Sequence, residues 1–222
     1  MAISTAERTD VELHRKVLEE LQFDPAVDAG KIGIAAENGV VTLTGAVGTF
    51  GEKWAAEKAV KRVRGVLALA NELNVELMGM HRMNDTDIAA SAASVLTWDS
   101  ALPKSIQVEV RNGCVTLSGT VDWNYQRELA EKDVRRIGGV VSVDDRIRLG
   151  NATLPQDVKK RIKSALHRDA EVQANNIEVA VDEGDVTLRG SVHSWTERDA
   201  ATRAAWSVEG VHTVHNILNI AP

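Results

Sequence analysis

Apolar residues recur along this chain in two alternating rhythms, and the alternation itself repeats. At Leu13, Val17 and Leu21 they fall at i, i+4 and i+8, as they do at Ile88, Ala92 and Leu96 and at Val158, Ile162 and Leu166. That spacing lays one apolar stripe along a short helix. After each stripe every second residue is apolar: Ile32, Ile34, Ala36; Ile106, Val108, Val110; Ile177, Val179, Val181. Period two marks a strand with one buried face. The pairs Asn38-Gly39, Asn112-Gly113 and Glu183-Gly184 come next. Asn-Gly between two strands is the strongest short hairpin signal, because both residues tolerate positive φ. The returning strand reads Val-Thr-Leu-x-Gly-x-Val, reaching Gly45 and Val47, Gly119 and Val121, and Gly190 and Val192. A second helix turns Ala56, Val60, Val63 inward, then Ala130, Val134, Ile137, then Ala201, Ala205, Val208. Gly65-Val66, Gly139-Val140 and Gly210-Val211 end those helices and open a third strand, glycine suiting the left-handed position past a helix end.

Self-similarity of this kind defines a repeat. The pattern predicts an α+β fold of three tandem copies over residues 7–78, 83–150 and 153–221, each helix–strand–strand–helix–strand. A right-handed crossover makes the third strand parallel to the second. The expected sheet is therefore mixed, three-stranded, ordered 1-2-3, with both helices on one face. Val40 beside Val41 and Leu43 puts apolar residues in both phases of the middle strand, so the opposite face is expected to pack on a neighbour. Capping boxes are expected at Thr9/Glu12, Thr49/Glu52, Thr153/Gln156 and Ser194/Glu197. Asn84 or Asp85 is placed to cap the middle copy's first helix, and its second helix starts near Asn124. The linkers, Met78 to Arg82 and Gly150 to Ala152, are short.

These residues together resemble the BON domain family, whose third strand carries the closing pattern G-V-x-x-V-x-N-x-L. Here it stands as Gly65-Val66, Leu69, Asn71, Leu73; Gly139-Val140, Val143, Asp145, Ile147; and Gly210-Val211, Val214, Asn216, Leu218. The resemblance implies a non-enzymatic binding or scaffold role in osmotic or general stress. Family members include osmotically induced periplasmic proteins, lipoproteins that bind anionic phospholipid, channel appendages and a cytoplasmic potassium-binding protein. Sensing of a small ligand such as potassium is one implied role. Association with phospholipid at the envelope and a holdase-like chaperone are the alternatives.

Charge narrows the partners. The formal net charge is -6, which repels phosphate backbones and makes nucleic acid an unexpected partner. No stretch approaches the ~20 apolar residues that span a bilayer. The start, MAISTAERTD, does not read as a secretory signal, so the expected location is cytoplasmic, or periplasmic for a trimmed mature chain. The single cysteine, Cys114, permits no internal disulfide and reads as a semi-buried strand thiol.

Catalytic patterns are not found. The repeated glycines lack the G-x-G-x-x-G or GK[ST] context of a phosphate loop and read as positions that exclude a Cβ. His212 and His215 fall on opposite faces of the third strand without a ligand set to complete them, so neither metal nor cofactor is expected. The polar position Asn71, Asp145 and Asn216 lies in the apolar phase of strand three. It either bonds nearby backbone or supplies oxygens to a small-cation or ligand site. Trp123 and Trp195 start second helices, with Phe50 and Tyr125 nearby; they either cap the end of a small core or form a membrane-interface or partner-binding rim, which makes them candidate interface residues. Trp206 replaces Lys61 and Arg135, and with Trp98 it is a candidate anchor for another domain or subunit, including a homo-oligomer.

Overall fold

A computed structural model describes residues 5–77, 83–150, 157–168 and 176–221. The first copy runs α1 (Thr5–Phe23), β1 (Ile32–Glu37), β2 (Val40–Val47), α2 (Phe50–Arg62) and β3 (Ala68–Val75). The second is α3 (Asp85–Trp98), β4 (Gln107–Arg111), β5 (Cys114–Val121), α4 (Asn124–Val134) and β6 (Ser142–Leu149). The third is α5 (Val158–Arg168), β7 (Ile177–Asp182), β8 (Asp185–Val192), α6 (Trp195–Trp206) and β9 (Thr213–Ile220). Each sheet has the order first–second–third strand, antiparallel across the hairpin and parallel across the crossover. The chain gathers into two compact units, residues 1–82 with 193–195 and 221–222, and residues 83–192 with 196–220.

The apolar stripes form the cores. Val17, Leu21, Val41, Leu43, Ala56 and Val60 are fully buried in the first copy, and Ile162, Val186, Leu188, Ala201 and Ala205 in the third. The second copy buries Ile88, Ala92, Val115, Leu117, Ala130 and Val134 in the same places. Burial of a Val or Leu side chain contributes about 1.5–3 kcal/mol, so these small cores are what hold each copy together. On the opposite faces, the first residues of the middle strands are exposed. Val40 is exposed, and Cys114, the first residue of β5, is exposed rather than semi-buried. Thr44, Thr120 and Ser191 in the same phase are exposed too, and their polar side chains suit water.

Both turn residues have positive φ in every copy: Asn38 at 50° and Gly39 at 78°, Asn112 at 53° and Gly113 at 73°, Glu183 at 43° and Gly184 at 96°. In two copies a carboxylate from the first helix braces the turn. Asp10 accepts from the Asn38 and Gly39 amides, and Asp85 from those of Asn112 and Gly113. At Gly119, φ is 125° and an added Cβ would overlap the Ser105 carbonyl oxygen, which gives the repeated glycine a steric role at the strand bend.

Helix starts differ in part from expectation. Asn84 is the cap of α3, its side chain accepting from the Asp87 amide at 2.8 Å, while Asp85 serves the turn. Thr49 caps α2 through the Glu52 amide, but the Glu52 carboxylate returns to the amides of Gly48 and Asp28. Thr9 lies inside α1, which begins at Thr5, so Thr9/Glu12 is not its start; Glu12 pairs with Lys16 at 2.8 Å instead. Thr153/Gln156 lies outside the described residues.

Candidate functional site

Each member of the polar position on strand three is tied down within its own copy. The Asn71 side-chain oxygen accepts from the Leu73 amide at 3.3 Å and its nitrogen donates to Glu57 at 3.3 Å. Asn216 accepts from Leu218 at 3.0 Å and donates to the Thr202 hydroxyl at 2.6 Å. Asp145 accepts from Ile147 at 2.9 Å and, having no donor, faces Arg127 at 3.5 Å. Burial pushes the Asp145 carboxyl above its ordinary value, with the Ile147 amide and Arg127 pulling the other way. Burial also raises Glu57, but the bonds from Lys61 and Asn71 outweigh it and leave that carboxyl below its ordinary value. The geometry is a latch from the second helix to the third strand, made separately within each copy.

The tryptophans separate. Trp98, at the end of α3, is 86% exposed. Trp195 belongs to the first unit, half-buried with the Lys61 ammonium 5.3 Å over its ring. Trp123 and Trp206 meet in the second unit, around hollows that both line. Trp206 packs on the core of copy three and carries the Arg127 guanidinium of copy two 5.0 Å over its ring. Cation–π pairs of this kind contribute about 0.5–1 kcal/mol when exposed and up to about 2 when desolvated. It is the same Arg127 that faces Asp145, so one side chain joins the latch of copy two to the aromatic anchor of copy three.

Beside this junction lies a cleft of about 800 Å³, walled by α5, Trp123 and the turn after α6. The apolar residues Val158, Ile162, Ala165 and Leu166 of α5 are buried. Its other side exposes Lys159, Lys160, Arg161, Lys163, His167 and Arg168, with no acidic residue in the helix. Arg161 reaches Asp157 at 3.0 Å, and Lys160 lines the cleft. This basic face was missed by reasoning from net charge, because the acidic average conceals it; the run Lys159-Lys160-Arg161 and Lys163 was the available signal. His212 precedes β9 rather than lying in it, beneath the Gly184 turn, and His215 is exposed. Among the described residues no group of three or more His, Cys, Asp or Glu could hold a metal ion, and no helix is long and apolar enough to cross a membrane.

Three αββαβ units with latched third strands and a junction built from aromatic and charged side chains define a tandem-repeat α+β protein. Residues 9–76, 84–151 and 156–222 each match the BON domain, and the chain belongs to that family. It is 32% identical over 146 residues to the osmotically-inducible protein Y of Escherichia coli (strain K12), covering 61% of this chain and 72% of that protein. It is 27% identical over 146 residues to a 21 kDa hemolysin of Actinobacillus pleuropneumoniae, covering 62% of this chain and 75% of the relative. Among solved structures, the C-terminal domain of CdsD, a structural protein of the type III secretion system of Chlamydia trachomatis, aligns with 16% identity. That alignment covers 96% of this chain and 98% of that one with a TM-score of 0.27.

Proposed function

We propose that this chain is a non-enzymatic binding protein of the osmotic stress response, and that it docks on anionic phospholipid surfaces through α5. The relative named as osmotically inducible supports the first part. The exposed basic face of α5 carries the second. Each Lys or Arg near an anionic leaflet contributes about 1 kcal/mol, and the attraction fades within a Debye length of about 8 Å at physiological salt. A local patch therefore acts on a surface that the chain's overall charge of -6 would repel from afar. Trp98 supplies an exposed aromatic of the kind that settles at headgroup level. The reading includes no potassium site, because the side-chain oxygens of Asn71, Asp145 and Asn216 each serve a strand amide in separate copies.

Vesicle flotation tests it. The full chain is expected to float with phosphatidylglycerol vesicles at low salt, to sink with phosphatidylcholine alone, and to be released as salt rises. Replacing Lys159, Lys160 and Lys163 by Glu should weaken binding more than a hundredfold, from about 3 kcal/mol of lost attraction. Absence of co-flotation at low salt would end the membrane reading, and equal flotation of the triple variant would remove α5 from it.

A further inference from the structure

The second helix of copy two breaks two rules that the other copies keep. Thr49 caps α2, and Ser194 stands at the same place before α6, but α4 begins behind Trp123, whose side chain accepts no amide. Loss of a Ser or Thr cap costs about 1 kcal/mol. Gln126 compensates in part, its oxygen accepting from the Asp122 and Trp123 amides. One residue on, where copy one has Phe50 and copy three has Trp195, copy two has Asn124. Asn124 is 6% exposed; its nitrogen donates to Glu128 at 2.8 Å, and its oxygen is buried with no hydrogen-bond partner. A buried acceptor left unpaired costs about 1–3 kcal/mol. Departures from local rules that folding does not repay are where functional sites are sought.

Both departures face the same hollow, about 290 Å³, at the Trp206 junction. Its charged lining residues are Asp122 and Glu209, both acidic, and its aromatic ones are Trp123 and Trp206. An adjoining hollow of about 350 Å³, also lined by Asn124, adds Tyr125, Glu128 and Arg203, so the excess of carboxylates lies in the first hollow. Carboxylates and aromatic faces favour a cation. A buried amide oxygen lacking a donor asks that the cation carry N–H groups. A volume at the low end of the ~300–1,000 Å³ common for ligand sites asks that it be small. Aromatic walls select an organic ammonium over a metal ion, in keeping with the lack of a metal-binding cluster among the described residues.

We propose that the hollow between Trp123, Asn124 and Trp206 binds a small primary ammonium compound, its N–H donating to the Asn124 oxygen and its charge held between Asp122 and Glu209. Nothing in this requires the basic face of α5, so the site stands or falls apart from membrane docking. Isothermal titration calorimetry of the full chain with 1,4-diaminobutane, at constant ionic strength, reads it directly. Saturable one-to-one binding is expected, with tetramethylammonium, which has no N–H, at least tenfold weaker. Asn124→Leu removes the acceptor, and Asp122→Asn with Glu209→Gln removes the charge at exposed positions where folding is not at stake; each is expected to weaken binding at least tenfold. No binding of the diamine would overturn the proposal. So would equal binding of tetramethylammonium, potassium or calcium, or unchanged affinity in the Asp122→Asn/Glu209→Gln variant.

Discussion

Truncating Trp206 should loosen copy two as well as copy three, because its ring and Arg127 sit on different copies of one compact unit. Fully buried Trp→Ala changes cost about 3–5 kcal/mol. Trp206 is half-buried at the edge of the copy-three core, so its apolar share is about 2 kcal/mol. The guanidinium 5.0 Å above the ring adds about 1 kcal/mol. Arg127 keeps Asp145 at 3.5 Å after the ring is gone, so it does not become a buried unpaired charge. Trp206→Ala is therefore expected to cost about 3 kcal/mol, and the Arg127→Ala/Trp206→Ala double-mutant cycle to give a coupling of about 1 kcal/mol. Native-state hydrogen exchange is the suitable assay, since it reads α4 and α6 separately where a single unfolding curve would merge two units. Protection should fall in α4 together with α6. If α4 protection is unchanged in Trp206→Ala, or if the coupling lies within the ~0.3 kcal/mol expected of independent sites, the junction is only a surface contact and the reasoning fails.

Three further outcomes follow from the repeat geometry. Glu183 holds φ of 43° where its counterparts are Asn, the residue that tolerates this region best; Glu183→Asn should add about 0.5–1 kcal/mol and raise the melting temperature, and an unchanged or lower melting point would refute it. Gly119→Ala places a Cβ against the Ser105 carbonyl at φ of 125° and should cost about 3 kcal/mol or more, read by urea unfolding; a loss below about 1 kcal/mol would show that the bend yields easily. Asp145→Asn copies the residue of the other two repeats. Burial raises the native carboxyl, so the wild type is favoured when that group is protonated and loses this stability as pH rises through the raised value. The variant should thus match the wild type below about pH 4 and exceed it by a few tenths of a kcal/mol at neutral pH, the half-exposed setting limiting the gain. A variant less stable at pH 7 would mean Arg127 outweighs burial.

Element order, strand direction and core were legible because two periods and a turn signal were repeated three times, each copy correcting noise in the others. What escaped were interactions between residues that no short-range pattern connects. Asp10 and Asp85 brace their turns across 28 and 27 residues of sequence. The regularity of that spacing in two copies was a signal, but an acidic residue near a helix start reads first as a dipole partner. The start of α1 is hard to read because Thr9 and Glu12 imitate a capping box that the preceding turn of helix makes unnecessary. At the candidate site, polarity alone left Asn71, Asp145 and Asn216 open to a ligand, and only the distances revealed the strand amides they serve. Trp206 stood out by replacing cations at its equivalent positions, yet its partner Arg127 could not be chosen among the many charged residues of another copy.

The sharpest comparison remains the one the chain makes with itself. If Trp123 existed only to support the fold, restoring the residue type of the other repeats at that position would bring no benefit. Threonine there should accept an N-terminal amide of α4, as Thr49 does from Glu52 at 3.1 Å, adding about 0.5–1 kcal/mol in place of a ring that is 40% exposed. Trp123→Thr is therefore expected to melt slightly higher than the wild type and to bind 1,4-diaminobutane at least tenfold more weakly, both measured on the same preparation. Stability and binding moving in opposite directions is the signature of a residue kept for its ligand. A variant that melts lower would show that the ring's packing outweighs the missing cap and that Trp123 is kept for the fold.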